Sequence, residues 1–252
     1  MNSNYKKISL LGKYFRLTKK PPIFDRGNKE FLFDQNNKTF IDLACGSGTT
    51  ILGHNNQFIN NSIKKKIDNG ILHTGPHFIS SIHQKYFDEL SSFFKNRFNV
   101  FNMATNGSEA TETALKLAFH HTGKKKIIYF SGSYHGRTGY SLLSSDMKGI
   151  NKEIFKNKNF FKCEYNNFDD FKKIFERNKK DLAAIIIEPI QATSGFNFIT
   201  LSILLSAPFL AKPSASNTDN ASTLIVLSSL SNNKSEVGIP FATLSLRSII
   251  IL

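Results

Sequence analysis

The run Val100-Phe101-Asn102-Met103-Ala104-Thr105-Asn106-Gly107-Ser108-Glu109-Ala110-Thr111-Glu112-Thr113-Ala114-Leu115-Lys116-Leu117-Ala118 decides how the chain is organised. Val100 to Met103 is a short apolar strand pattern, and Ala104 to Ser108 is a turn of small polar residues. Glu109 to His121 then has helical spacing, with Ala110, Ala114, Leu117 and Ala118 on one face and Gly123 at its carboxyl end. A strand that turns directly into a helix leaves several amides without intrahelical acceptors, with the positive end of the helix dipole behind them. That arrangement seats a phosphate. The same residues also make an ordinary helix start capped by Asn106 or Ser108, and judged locally the two readings stand side by side.

Working outward, Lys126-Ile127-Ile128-Tyr129-Phe130 is a buried-strand pattern, followed by the loop Ser131-Gly132-Ser133-Tyr134-His135-Gly136-Arg137-Thr138. After the basic, aromatic stretch Ile150 to Phe175, Leu182-Ala183-Ala184-Ile185-Ile186-Ile187 is another continuous apolar strand, ending in Glu188-Pro189. Upstream, Ile79 to Phe94 has helical spacing through Ile82, Tyr86, Leu90 and Phe93. Strand, helix, strand, helix, strand predicts an α/β fold with a mostly parallel sheet. Ligands of such folds bind at the carboxyl edge of the strands. There Tyr134 offers a ring to cover a flat cofactor, Gly136 permits close approach, and Glu188 supplies a carboxylate. The alternatives are that Tyr134 is a core aromatic and His135 a loop histidine satisfied by its surroundings.

Near the amino end, Phe31-Leu32-Phe33-Asp34 and Lys38-Thr39-Phe40-Ile41-Asp42-Leu43 flank Gln35-Asn36-Asn37 and predict a β-hairpin. The following Asp42-Leu43-Ala44-Cys45-Gly46-Ser47-Gly48-Thr49-Thr50 imitates the glycine loop of an S-adenosylmethionine-dependent methyltransferase. Such a loop follows a parallel strand and opens a long helix, whereas here the preceding strand reads as antiparallel and Gly53 and Asn55 break the helix at once. Asp68 lies near the expected ribose-binding position, but Asn60 to Ile67 is a helix pattern rather than the strand that would carry such an acid.

The formal net charge of +14 admits an anionic partner, but the lysines are scattered in short runs beside apolar segments, which favours solvated element ends over a nucleic-acid surface. Two cysteines far apart in sequence, Cys45 and Cys163, support neither a metal site nor a disulfide framework, and fit a reduced, cytoplasmic setting. No apolar run has signal-peptide or membrane-spanning length. From about Ile199 the composition turns rich in Ser, Leu and Ile and poor in charge; Thr223 to Leu227 and Ser248 to Leu252 are strand candidates that no β-α alternation joins. The shift marks a domain boundary, or a frame change or unrelated fusion.

Three blocks, ATNGSEATETALKLA (Ala104 to Ala118), GSYHGRT (Gly132 to Thr138) and IIIEPIQ (Ile185 to Gln191), resemble successive blocks of the class III aminotransferases. That family includes the ornithine, acetylornithine and 4-aminobutyrate enzymes, has the fold type I architecture and uses pyridoxal 5'-phosphate (PLP). FLFDQNNKTFIDLACGSGTTILGH and ILHTGPHF (Ile71 to Phe78) resemble the family's small-domain hairpin and the loop after it, so the match runs from roughly Lys13 to Gly195. The resemblance implies that Asn106, Gly107 and Ser108 bind the PLP phosphate, that Tyr134 stacks on the pyridine ring with His135 in the same wall, and that Glu188 lies close to the cofactor. His54, Gly48 and Ser47 match a substrate-side segment only loosely, and a structural turn explains them equally well. It also implies a small-molecule amino donor, a 2-oxo acid acceptor and a homodimer, with no nucleic acid and no membrane.

The sequence departs from the family after the Glu-Pro block. Neither the Asp-Glu-x-Gln-x-Gly strand, whose aspartate keeps the pyridine nitrogen protonated, nor the lysine turn that forms the Schiff base is found. Leu210-Ala211-Lys212-Pro213 imitates the turn but follows Glu188 too closely to leave room for the intervening helix and aspartate strand. Thr193 stands where the ornithine and 4-aminobutyrate enzymes carry a second glutamate. The expected organisation is an amino-terminal small-domain segment (1–70), a partial PLP-binding large domain (71–198) and a non-homologous tail (199–252), with the family sequence truncated or frame-shifted after about residue 197. No catalytic residue and no metal ligand are expected. The functional expectation is a PLP aminotransferase descendant, inactive alone, or else a non-catalytic fragment that binds phosphate-bearing ligands.

Overall fold

A computed structural model of the protein describes residues 22–68, 70, 75, 77–95, 100–146, 157–200, 224–227 and 250–251. The chain divides into two compact units, Met1–Ser80 and Ser81–Leu252.

In the first unit, β1 (Phe24–Asn28), β2 (Phe31–Asp34) and β3 (Thr39–Ile41) form an antiparallel sheet in that order. β2 and β3 are the hairpin predicted from the sequence, pairing Phe31 with Ile41 and Phe33 with Thr39. Asp34 closes the turn, its Oδ1 accepting the amides of Asn36 and Lys38 at 2.9 Å each, while Asn37 takes a left-handed φ of 60°. Nothing in Phe-Asp-Arg-Gly-Asn signals β1: it has no β-branched residue, and it joins the sheet as an edge strand with a bulge between Phe24 and Arg26. The glycine stretch forms α1 (Cys45–Gly48), a single turn after an antiparallel strand, and Asp68 ends the helix α2 (Gln57–Asp68). Among the described residues, the glycine stretch opens no long helix and Asp68 sits on no strand, so the adenosylmethionine alternative fails.

The second unit runs α3 (Ser81–Phe93), β4 (Phe101–Asn102), α4 (Gly107–Thr122), β5 (Lys126–Phe130), α5 (Gly139–Leu143), β6 (Phe160–Cys163), α6 (Phe168–Asn178) and β7 (Leu182–Ile187). A short hairpin of β8 (Ile190–Gln191) and β9 (Asn197–Phe198) follows, then β10 (Leu224–Leu227) and β11 (Ile250–Ile251). The central sheet has the order β10-β7-β5-β6, and every pairing in it is parallel. This is the α/β architecture with a parallel sheet that the sequence predicts.

Alternation along β5 sorts the core into two clusters. Ile128 and Phe130 pack with Cys163, Phe171, Ile185 and Ile187, while Ile127 and Tyr129 pack with Leu115, Ala118, Ala184 and Ile186. The first cluster is covered by α6 through Phe171 and the second by α4 through Leu115 and Ala118. β7, read as LAAIII, is buried along its whole length because both of its faces are covered. Each fully buried Ile or Leu contributes about 1.5–3 kcal/mol relative to exposure.

Three expectations change here. The buried face of α4 holds Ala110, Ala114, Leu115 and Ala118, with Leu115 fully buried and Leu117 only half-buried, because the side packed on β5 and β7 is centred nearer Leu115. The stretch Ile150 to Phe175, assigned no element by pattern, contains β6 and most of α6. Asn167 caps α6 by accepting the Asp170 amide at 3.0 Å, and the spacing of Phe171, Ile174 and Phe175 carries its apolar face. In the tail, the strand candidate at Leu224–Leu227 pairs in parallel with β7, Leu224 opposite Ala184, so it continues the sheet rather than standing unjoined. Ile250–Ile251 pairs with β4.

Candidate active site

The carboxyl ends of β5 and β7 and the amino end of α4 meet at one edge of the second unit. Asn106 caps α4, its side chain accepting the Glu109 amide at 3.0 Å from an extended backbone. Glu109 reaches back to the Thr105 amide at 2.8 Å and also takes the Thr105 hydroxyl, which holds its carboxyl below the usual carboxylate range. The capping role expected for Asn106 is therefore real, and it leaves room for the other one. The amides of Gly107 and Ser108 find no acceptor among the described residues, Asn106 and Gly107 are exposed, and a Cβ built on Gly107 would meet nothing within 4 Å. The helix thus presents unpaired donors to open space, the electrostatic setting an anion needs.

The loop after β5 lies against this helix start. The Arg137 amide donates to Ser108 Oγ at 3.1 Å, and a side chain at Gly136, where φ is 144°, would come within 2.8 Å of that hydroxyl. Glycine is required here for close approach as well as for conformation. Tyr134 is half-buried rather than a core aromatic, with its hydroxyl taking the Arg137 Nε–H at 3.1 Å and the guanidinium 5.9 Å from its ring centre. His135 is buried, and its amide donates to Ser145 Oγ at 2.8 Å.

Glu188 follows the last residue of β7. Its Oε2 accepts the Tyr134 amide at 3.0 Å, tying the aromatic loop to the Glu-Pro block. The residue is 5% exposed, and burial pushes its carboxyl from 4.5 up to about 7 against the opposing pull of that amide. Beside it, the Tyr165 hydroxyl donates to the Glu188 carbonyl at 2.7 Å and is itself raised to about 12, first by burial and then by the Glu188 charge. The residues proposed from the three sequence blocks are therefore brought together: Ser108 touches the loop of Tyr134 and His135, and that loop touches Glu188.

Further side chains that sequence reasoning did not single out complete the framework. Gln191 donates to the Ser131 carbonyl at 2.8 Å and Ser194 to the Gly132 carbonyl at 2.5 Å. These contacts span about sixty residues of sequence, and no local signal points to them.

In the first unit, His54 has a structural part. It exchanges two backbone hydrogen bonds with Lys29 at 2.8 Å, and its Nε2 meets Asp42 Oδ2 at 2.8 Å. That contact, with the amides of Cys45 and Ala44, holds the Asp42 carboxyl below its usual range. Gly48 adopts φ of 89° with open space around it. The side chain of Ser47, Lys212 and most of the Ile71 to Phe78 loop lie outside the described residues. No cluster of metal-ligating side chains occurs among the described residues, and no helix among them is long and apolar enough to cross a membrane.

The parallel sheet flanked by helices, with an open helix start, an aromatic loop and a buried carboxylate at one edge, has the fold type I architecture, as solved structures show. The adenosylmethionine-8-amino-7-oxononanoate aminotransferase of Methanocaldococcus jannaschii superposes with a TM-score of 0.74 at 18% identity, over 86% of this chain and 51% of that one. A transaminase from a marine Virgibacillus gives 0.72 at 19% identity, over 82% and 49%. A further neighbour is a transaminase with PLP bound, with a TM-score of 0.68 at 19% identity, over 83% of this chain and 49% of that one. The sequence profile of class-III aminotransferases matches residues 17–213, and the chain belongs to that family, whose coenzyme is PLP. Similar curated proteins are glutamate-1-semialdehyde 2,1-aminomutases: that of Caldicellulosiruptor saccharolyticus is 35% identical over 182 residues, covering 69% of this chain and 41% of its own length. That of Clostridium acetobutylicum is 33% identical over 222 residues, covering 84% and 50%. The chain thus spans half or less of the length of these relatives.

Proposed function

We propose that the chain binds PLP at the carboxyl edge of its sheet and that its lineage is that of the amino-group-transferring enzymes, glutamate-1-semialdehyde aminomutase being the relative it most suggests. The observation that carries this reading is the pair of unpaired amides at Gly107 and Ser108, at a helix start that is open at Gly107 and tied through Ser108 Oγ to the loop of Tyr134. Asn106, Gly107 and Ser108 take the phosphate, and the net charge of +14 favours an anionic ligand. Tyr134 covers one face of the ring, His135 contributes to the wall beside it, and Glu188 lies at the cofactor's edge. When bound, PLP supplies an electron sink for a substrate whose amino group is being moved. The protein's own part is to hold the phosphate, to orient the ring through Tyr134 and to keep a titratable carboxylate beneath that loop.

The chain is proposed to bind without turning over. Within it, the strand paired with β7 reads Leu224-Ile225-Val226-Leu227 and is followed by Ser228-Ser229, with no acid to hold a pyridine nitrogen protonated. No lysine turn follows at the family's spacing. Substrates of the lineage, an amino acid or amine with a 2-oxo acid, or a single amino-aldehyde in the aminomutase variant, together with a homodimeric assembly, belong to the same proposal. A phosphate-ligand remnant is the competing reading, and it predicts equal affinity for PLP and other small phosphates.

Equilibrium dialysis against PLP, pyridoxal and inorganic phosphate, followed by borohydride and peptide mapping, tests the proposal. PLP is expected to bind more tightly than either component alone and to leave no adduct on a defined lysine. A stable adduct at one lysine would refute the binding-only reading, and absence of PLP binding would refute the site.

A further inference from the structure

Between Phe130 and Gly139 the chain has no regular structure, yet it is buried at Ser133, His135 and Gly136. Buried backbone without a ladder must find its hydrogen bonds elsewhere. Here the amides are taken one after another by side chains: Tyr134 by Glu188, Arg137 by Ser108, and Thr138 by Ser141 at 3.3 Å. The two amides in the middle, His135 and Gly136, go to a single atom, the Oγ of Ser145, at 2.8 and 3.2 Å. Ser145 is 0% exposed, and its hydroxyl is also placed to donate, with the Ser141 carbonyl at 2.8 Å and the Gly136 carbonyl at 3.1 Å. One hydroxyl thus satisfies two donors and returns its own proton to the same framework, at a position water does not reach.

We propose that Ser145 is a positioning residue for the coenzyme loop: it fixes the His135–Gly136 backbone and, through it, the placement of Tyr134 on one side and of the Arg137 amide on Ser108 on the other. The proposal rests on the PLP-binding reading only for its consequence; the fixing of the loop is a property of the chain without ligand. The mechanism is preorganisation. Gly136 is wedged between Ser108 and Ser141, so a shift of its backbone moves the helix-start hydroxyl and the aromatic ring together. Ser145→Ala removes the Oγ that accepts both buried amides, and water cannot take its place without opening the loop.

The test compares wild type, Ser145→Ala, Ser145→Thr and Phe171→Leu. The last is a core substitution that lowers stability at a residue outside the loop, packed on Phe130 of the strand before it. Amide hydrogen exchange, without ligand, is read at His135 and Gly136, and PLP binding is read by the induced circular dichroism of the coenzyme per molecule bound. In wild type these two amides are expected to exchange far more slowly than the exposed amides of α2. Ser145→Ala is expected to speed them by at least about tenfold and to lower the dichroism per bound PLP; Ser145→Thr, which keeps the hydroxyl, restores slow exchange, and Phe171→Leu does neither. Fast exchange at His135 and Gly136 in wild type overturns the proposal even if Ser145→Ala does not fold. So does an effect that Phe171→Leu reproduces. If wild type binds no PLP, the functional reading fails while the exchange comparison still decides the role of Ser145.

Discussion

Replacing Glu188 with Gln should change how stability depends on pH, and the structure sets both sign and size. The carboxyl is 5% exposed and raised from 4.5 to about 7, burial being the larger cause and the Tyr134 amide the opposing one. A raised acid binds its proton more tightly when folded than when unfolded. Its neutral form is present in both states below 4.5, and folded stability then falls as pH rises towards 7. At about 1.4 kcal/mol per pH unit the interval amounts to about 3 kcal/mol, lost in full above pH 7. Gln keeps a carbonyl oxygen for the Tyr134 amide and has no charge to bury. Urea unfolding followed by far-ultraviolet circular dichroism at steps between pH 5 and 8, taken as wild type minus variant, cancels the other titrating groups. The variant is expected to gain on wild type as pH rises, by up to about 3 kcal/mol. A difference that stays flat, or that grows in the opposite direction, would refute the argument. A buried carboxylate that costs stability at neutral pH is the kind of group retained for chemistry rather than for folding.

Gly136→Ala places a methyl against the Ser108 and Ser141 side chains at a φ of 144°; it should destabilise by about 1–3 kcal/mol and weaken PLP binding in dialysis, with the loss of binding exceeding that of an equally destabilised core variant. Leu115→Ala, at a fully buried position under α4, should cost about 2–5 kcal/mol in the urea midpoint. Gly123→Ala meets no steric obstacle but must hold a left-handed φ of 65° at the carboxyl end of α4, and thermal melting should show a loss of about 1 kcal/mol.

The parts of the fold legible in the sequence are those whose pattern is local. β5 and β7 are unbroken apolar runs because helices cover both faces, and α4 is announced by Asn106 before it and Gly123 after it. α6 is more amphipathic than α4, but its phenylalanines stand among lysines in a stretch whose composition reads as a basic surface, so its period is easily passed over. β1 and β10 depend on partners rather than on their own residues: one is an edge strand of FDRGN, the other pairs with β7 from beyond the change in composition. The candidate site divides in the same way. Ser108 and Glu188 sit at element ends and Tyr134 in the loop that follows β5, where the strand order predicts a ligand edge. Ser145, Gln191 and Ser194 act through hydrogen bonds to loop backbone, and nothing in their immediate sequence separates them from any other polar residue.

Amide resonances report the phosphate seat most directly. In a 15N-labelled sample titrated with PLP, the Gly107 and Ser108 amides should show the largest shifts, with Tyr134 moving in step, whereas pyridoxal without its phosphate should leave Gly107 and Ser108 nearly unmoved. PLP that binds while those two amides stay in place would contradict the central claim.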